Sequence, residues 1–162
     1  MSIRLVLALS IAMAGSAAVA GAPETKITPV AAANLPPAVL AVVTKAAPGL
    51  KVIEAELKER EGRRYFDVEG VLPSGAEIEF DLLEKNGAWE IVETQRDIAW
   101  ADAPAVVRTA AGKAQPVRVI ESTQNDGLVI YELFAPGQPK TPALEVSFKD
   151  GVAKVLAETW PH

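Results

Sequence analysis

Displaced by 67 residues, this chain aligns with itself. Pro37-Ala38-Val39 falls on Pro104-Ala105-Val106, Ala47 on Ala114, and Lys51-Val52-Ile53-Glu54 on Arg118-Val119-Ile120-Glu121. With small gaps, Tyr65 then falls on Tyr131, Glu77-Ile78-Glu79-Phe80 on Glu145-Val146-Ser147-Phe148, Asn86-Gly87 on Asp150-Gly151, and Glu93-Thr94 on Glu158-Thr159. A period of this length reads as one supersecondary unit used twice.

Each copy opens with a helix. The first has Pro36-Pro37 near its start and Pro48-Gly49 as its stop; the second has Asp102 as N-cap and Pro116 as its latest stop. Val39, Val43 and Ala47, and their equivalents Val106, Ala110 and Ala114, recur every four residues and form one apolar stripe per helix. Four β-rich runs follow each helix, near 51–59, 64–72, 76–84 and 88–95, then near 117–124, 128–135, 143–149 and 152–159. Glu61-Gly62, Pro73-Ser74-Gly75 and Asn86-Gly87 separate the first set; Asp126-Gly127, Pro136-Gly137-Gln138-Pro139 and Asp150-Gly151 separate the second. The three Asx-Gly pairs are strong hairpin signals, because type I′ turns need positive φ at both central residues.

One helix on a four-stranded sheet makes a small core, so the two units are expected to share one hydrophobic layer. The expected fold is α+β: two helix-plus-four-strand antiparallel repeats, residues 35–99 and 100–162, joined into one sheet of about eight strands with both helices on one face. Residues 21–34 read as a flexible leader, and 96–103 as the connector.

Arg4 followed by the apolar run Leu5 to Met13, and then Ala18-Val19-Ala20, reads as a signal peptide over residues 1–20, cleaved before Gly21. The run is too short to span a bilayer, and with no cysteine anywhere a lipobox is excluded. The expected location is periplasmic or secreted. Removing that segment takes away one basic residue and no acidic one, leaving 15 Lys+Arg against 21 Asp+Glu, net −6. Such a balance argues against a nucleic acid or an anionic membrane surface as partner, and no second apolar stretch reaches spanning length. Without cysteines, neither disulfides nor thiolate metal sites can hold the fold, so hydrophobic burial must.

The helix ending in Pro48-Gly49, the strand bearing Ile53-Glu54, then Tyr65-Phe66-Asp67-Val68, Ile78-Glu79-Phe80-Asp81 and Asn86-Gly87 resemble the PepSY-like family. Its envelope members are called beta-lactamase-inhibitor-like, because tandem copies resemble the fold of that inhibitor. The resemblance covers nearly the whole chain after the signal segment, although the second copy has Glu132-Leu133 where the first has Phe66-Asp67. It implies an envelope protein that binds or inhibits another protein, without an established reaction, and it transfers no site residues.

Catalysis finds little support. The one histidine is His162, the last residue, where chain ends fray, so no Ser-His-Asp or Cys-His arrangement is expected. No G-x-S-x-G, Walker loop or H-E-x-x-H occurs. No enzyme activity, cofactor or metal site is therefore expected, although a paired-carboxylate hydrolase needs only two acidic residues in a cleft.

The acidic hairpin is the strongest candidate site. If Pro73-Ser74-Gly75 closes a hairpin that pairs Leu72 with Ala76, alternation puts Asp67, Glu69, Glu77, Glu79 and Asp81 on one face and Phe66, Val68, Ile78, Phe80 and Leu82 on the other. Like charges then oppose one another across strands, which costs stability. Three offsets are open: Arg60, Arg63 and Arg64 nearby, a divalent cation, or a basic partner surface. Tyr65 shares the acidic side, and Tyr65, Tyr131, Trp89, Trp100 and Trp160 are candidate interface anchors or ordinary core and rim residues. The apolar run Leu128 to Phe134 is either an exposed binding strip or a buried centre. The functional expectation is an exported non-enzymatic binding module, inhibitor-like, meeting another envelope protein or peptide through Tyr65, Asp67, Glu69, Glu77, Glu79, Asp81 and Tyr131. The alternative is a cation-binding or structural envelope protein using the same acidic face.

Overall fold

A computed structural model of the chain describes residues 25–158. The signal segment, Trp160 and His162 lie outside the described residues. The fold is α+β, with one antiparallel sheet of nine strands in which each strand pairs with the next in the chain. These are β1 Lys26–Pro29, β2 Lys51–Arg60, β3 Arg63–Val71, β4 Glu77–Lys85, β5 Ala88–Ile98, β6 Arg118–Gln124, β7 Val129–Phe134, β8 Leu144–Lys149 and β9 Val152–Val155. Two helices complete it, α1 Pro37–Ala46 and α2 Ala105–Ala110, each preceded by a 3₁₀ turn, Ala32–Asn34 and Trp100–Asp102.

The ninth strand arises within the segment expected as a flexible leader. Lys26 to Pro29 pair with Glu59 to Glu56, and the Lys26 ammonium lies 3.0 Å from the Glu59 carboxylate. Four residues ending in proline carry no alternation to read, yet an edge strand tolerates proline because one side of its backbone needs no partner. The expected connector shortens likewise, since β5 continues through Ile98 to pair with β6.

The turns follow the residue chemistry with one exchange. Asn86-Gly87 and Asp150-Gly151 take positive φ at both residues, as a two-residue hairpin requires. Asp126 does not: Gln124 N–H bonds to Leu128 C=O at 2.8 Å around a three-residue loop in which only Gly127 is left-handed. Glu61-Gly62 adopts the doubly left-handed geometry instead.

Helix α1 behaves as its sequence suggests, with proline in its first turn and Val39 and Val43 fully buried. Helix α2 corrects two expectations. Asp102 lies in the 3₁₀ turn rather than at the N-cap, which is Pro104. The buried stripe is Ala103, Val107 and Ala111, whereas Val106 is 44% exposed. The phase is set by the turn before each helix: the residue preceding the capping proline, Leu35 or Ala103, is the first buried position, and burial recurs every four residues from there.

Two apolar clusters hold the layers together. Leu35, Val39, Val43 and Ala47 pack on Ala55, Phe66, Val68, Phe80 and Leu82. Ala103, Val107 and Ala111 pack on Val119, Tyr131, Leu133 and Val146. Each large apolar side chain so buried contributes about 1.5–3 kcal/mol. Strand β7 is buried from Ile130 to Phe134, which makes the Leu128 to Phe134 run a buried centre and not an exposed strip.

Where β3 meets the start of β2 there is no room for another atom. A Cβ on Gly70 would lie 2.7 Å from Leu50 Cδ1 and 2.8 Å from the Lys51 carbonyl oxygen, and backbone cannot swing aside. Gly70→Ala is expected to destabilise the fold by about 1–3 kcal/mol, read as a lower urea midpoint; a loss under about 0.5 kcal/mol would show that β2 and β3 are less tightly apposed than described.

Candidate functional site

Strands β3 and β4 pair as the alternation requires. Leu72 N–H bonds to Ala76 C=O at 2.8 Å to close the hairpin, Phe66 opposes Leu82, and Val68 opposes Phe80 on the α1 side. On the other side Asp67 opposes Asp81 and Glu69 opposes Glu79, with Glu77 one step further along.

The neighbouring strands extend these pairs into rows. Glu56, Asp67, Asp81 and Glu93 stand directly opposite one another across β2 to β5, and beside them Glu54, Glu69, Glu79 and Gln95 do the same. Two β-bulges make this possible. Register shifts between Val52 and Glu54, and at Val92 between Glu93 and Ile91. An extra residue reverses the facing of everything beyond it. Hence Ile91 packs against the α1 cluster while Glu93, two residues on, faces the acidic side. Glu54, Glu56 and Glu93 escape sequence reasoning for this reason; the alternating Glu54 and Glu56 were the one available signal. These two rows lose their charge at β6, where Gln124 and Ser122 continue them, while further along the same side Glu132 and Glu145 oppose each other across β7 and β8.

Among the flanking cations it is Lys58 that enters the rows, paired with the Asp67 carboxylate. The expected arginine balance is distributed differently. Arg64 faces the α1 side, bonding Glu84 at 2.9 Å and lying 5.7 Å over the Trp89 ring. Arg60 and Arg63 stand opposite each other beside the turn that closes the β2–β3 hairpin. At the far end Arg118 bonds Asp97 at 2.8 Å and, with Glu69, Glu77 and Glu79, lines a small groove.

Burial and crowding hold protons on this face. Burial, then the charges of Asp67, Glu79 and Glu93, push the Asp81 carboxyl up to about 9 despite Lys58. Burial and the same kind of crowding, from Asp67 and Glu69 first, push Glu79 up to about 7. Asp67 is also raised, because burial outweighs the pull of Lys58. Burial likewise raises Glu69, with Glu77 and Glu54 adding to it. Burial pulls the Lys58 ammonium down, but Asp67, Asp81 and Glu79 together outweigh it and its pKa rises. Glu93 accepts hydrogen bonds from the Ser122 hydroxyl and the Gln95 amide. Asp81 Oδ1 is shielded from solvent and has no hydrogen-bond partner among the described residues. One oxygen each from Asp67, Glu79 and Asp81 lies within 4.8 Å of the others, so the cluster offers acceptors to a cation or to a basic side chain.

Of the residues singled out from sequence, Tyr65, Asp67, Glu69, Glu77, Glu79 and Asp81 share this face. Tyr131 does not: it is buried in the α2 cluster, edge-on to Phe148 at 6.4 Å, and its hydroxyl donates to Glu121 at 3.0 Å. Trp89 stands edge-on to Phe66 at 5.1 Å in the α1 cluster, and Trp100 packs on the α2 cluster. No family model, curated protein or solved structure matches the chain.

The raised carboxyls set the sign of the pH dependence. Asp81 and Glu79 bind protons more tightly folded than unfolded, where Asp and Glu titrate near ~4, so their contribution is fully present below pH ~4 and is lost progressively as pH rises from there to about 7 for Glu79 and about 9 for Asp81. The melting temperature is expected to fall from pH ~5 to ~9, and Asp81→Asn to flatten that fall and stabilise the protein at pH ~8 by roughly 1–2 kcal/mol. Melting curves across that range contradict this reading if stability rises with pH or the variant melts lower at pH ~8.

Proposed function

We propose that this chain is an exported, non-enzymatic binding module that captures another envelope protein or peptide through the acidic sheet face. One observation carries the reading: like charges stand directly opposed, Asp67 to Asp81 and Glu69 to Glu79, on a face whose cross-strand positions suit apolar or oppositely charged pairs better. A partner surface rich in lysine and arginine relieves that repulsion, and the shielded Asp81 oxygen gains a donor. The non-enzymatic part rests on the lack of cysteine and on a lone histidine at the chain's last position. Export to the periplasm rests on the Arg4 to Ala20 signal pattern.

The fold belongs to the same proposal as a tandem PepSY-like arrangement with an inhibitor-like role. Two units share β5, whose first part pairs with β4 and whose end pairs with β6. Continuous cross-strand pairing from Phe80 through Thr94, Thr123 and Val129 to Phe148 supports placing both helices on one side. The binding face is then the opposite side.

Pulldown from envelope extract with the mature chain from Gly21, beside a folded variant carrying Lys at positions 67, 69, 77 and 79, tests the reading. A specific protein held by the parent and reduced at least ~10-fold by the variant supports it; equal capture by both contradicts it. A second reading follows from the three oxygens within 4.8 Å of one another: the face binds a divalent cation. In that case calcium at about 100 times its dissociation constant raises stability by about 2.7 kcal/mol, and Asp81→Asn removes the rise; a melting temperature indifferent to calcium excludes it.

A further inference from the structure

The groove at the β2–β3 end of the acidic face differs from the rest of that face in carrying opposite charges at its floor and its mouth. Its volume is ≈ 400 Å³, within the ~300–1,000 Å³ of small-ligand sites. Asp67, Asp81 and Glu93, consecutive members of one carboxylate row, form the floor. Arg60 and Arg63, both exposed, form the mouth. Between them stand Tyr65 and the bulged Val92, an aromatic ring and an aliphatic side chain.

The charges at the two ends do not satisfy each other. Lys58 is paired with Asp67, and among the described residues Asp81 Oδ1 has no hydrogen-bond donor. At the mouth neither arginine forms a salt bridge among the described residues; the Arg63 guanidinium donates to the Tyr65 hydroxyl and also feels the Glu61 carboxylate in the turn. Four residues along β3 separate Arg63 from Asp67, roughly 13 Å at ~3.3 Å per residue. An extended lysine or arginine residue spans about half of that from head group to its own carboxylate, and an arginine side chain reaching down from the mouth can span the rest.

We propose that this groove holds the C-terminal residue of a polypeptide ending in lysine or arginine. The side-chain cation meets Asp81 between Asp67 and Glu93, its methylenes lie along Tyr65 and Val92, and the terminal carboxylate meets Arg60 and Arg63. This assignment rests on the binding-module reading and narrows it. A purely cationic ligand brings no carboxylate to the two guanidiniums, and a purely anionic one brings no donor to Asp81; a ligand with both ends in this order supplies both. Guanidinium pairs with carboxylate through two parallel hydrogen bonds, so the mouth suits a free terminus better than an internal peptide group.

The test uses the full mature chain and three synthetic probes, followed by amide chemical shifts: acetyl-Ala-Ala-Lys with a free carboxylate, the same peptide as its C-terminal amide, and acetyl-Ala-Ala-norleucine. The first is expected to shift Tyr65, Asp81 and Val92, and each of the others to bind at least roughly tenfold more weakly. Arg60→Gln with Arg63→Gln removes the preference for acid over amide while the protein still folds; Asp81→Asn removes the preference for lysine over norleucine. Equal binding of acid and amide, or no shift in the groove at ~10 mM peptide in a protein that still captures its partner through the acidic face, overturns the assignment and leaves the binding-module reading standing. Failure of both capture and peptide binding removes that reading as well.

Discussion

The register of β3 on β4 is the constraint on which the rest depends. Phe66 against Leu82 and Val68 against Phe80 are buried under α1, and a slip of one residue would turn one strand's pair of them to the opposite side. The hydrophobic gain on that side therefore fixes which residues meet on the other. Those are Asp67 with Asp81 and Glu69 with Glu79. Four carboxylates are brought together without any attraction of their own, because a strand has only two sides and one is committed to the core.

From that lock the electrostatics follow. Each opposed pair pushes the ionised form of its neighbours up in energy, burial does the same, and Lys58 on the adjacent strand meets part of the demand through Asp67. The remainder appears as carboxyls raised well above their ordinary range and as a shielded Asp81 oxygen without a donor. A solvated acidic face would distribute its charge at the rim. Here the crowding is in the middle of the sheet, where a partner can most strongly change it. From Gln95 the same cross-strand line continues as Ser122 and Ile130, and two residues away on that side a second opposed carboxylate pair, Glu132 with Glu145, is buried between β7 and β8.

Much of this was legible in the chain before its structure. Alternation in 66–69 and 76–82 specified both sides of the hairpin, since apolar and acidic residues there change places at every step. Glycine after Asn86 and Asp150 marked two tight turns. What stayed hidden came from irregularities that sequence periodicity cannot carry. The bulge at Val92 reverses Glu93 relative to Ile91, and the bulge near Ile53 does the same for Glu54, so acidic residues with the parity of core positions joined the face. Strand β1 is too short to show a period and is held by pairing alone. Helix α2 took its phase from the 3₁₀ turn and proline ahead of it, which the self-alignment placed one residue away. Tyr131, matched to Tyr65 by that alignment, went to the core because it stands opposite Val146 on the α2 side of its strand, whereas Tyr65 shares the side of Asp67.

The most direct test of forced carboxylate crowding is to titrate the side-chain carboxyl carbons of Asp81 and Glu79 by NMR in the mature chain, with no ligand added. Midpoints near about 9 and about 7 are the expected result, with each resonance also responding to the other's titration. Independent midpoints below about 5 for both residues would contradict the account, because the register would then not bring these groups together in the folded protein.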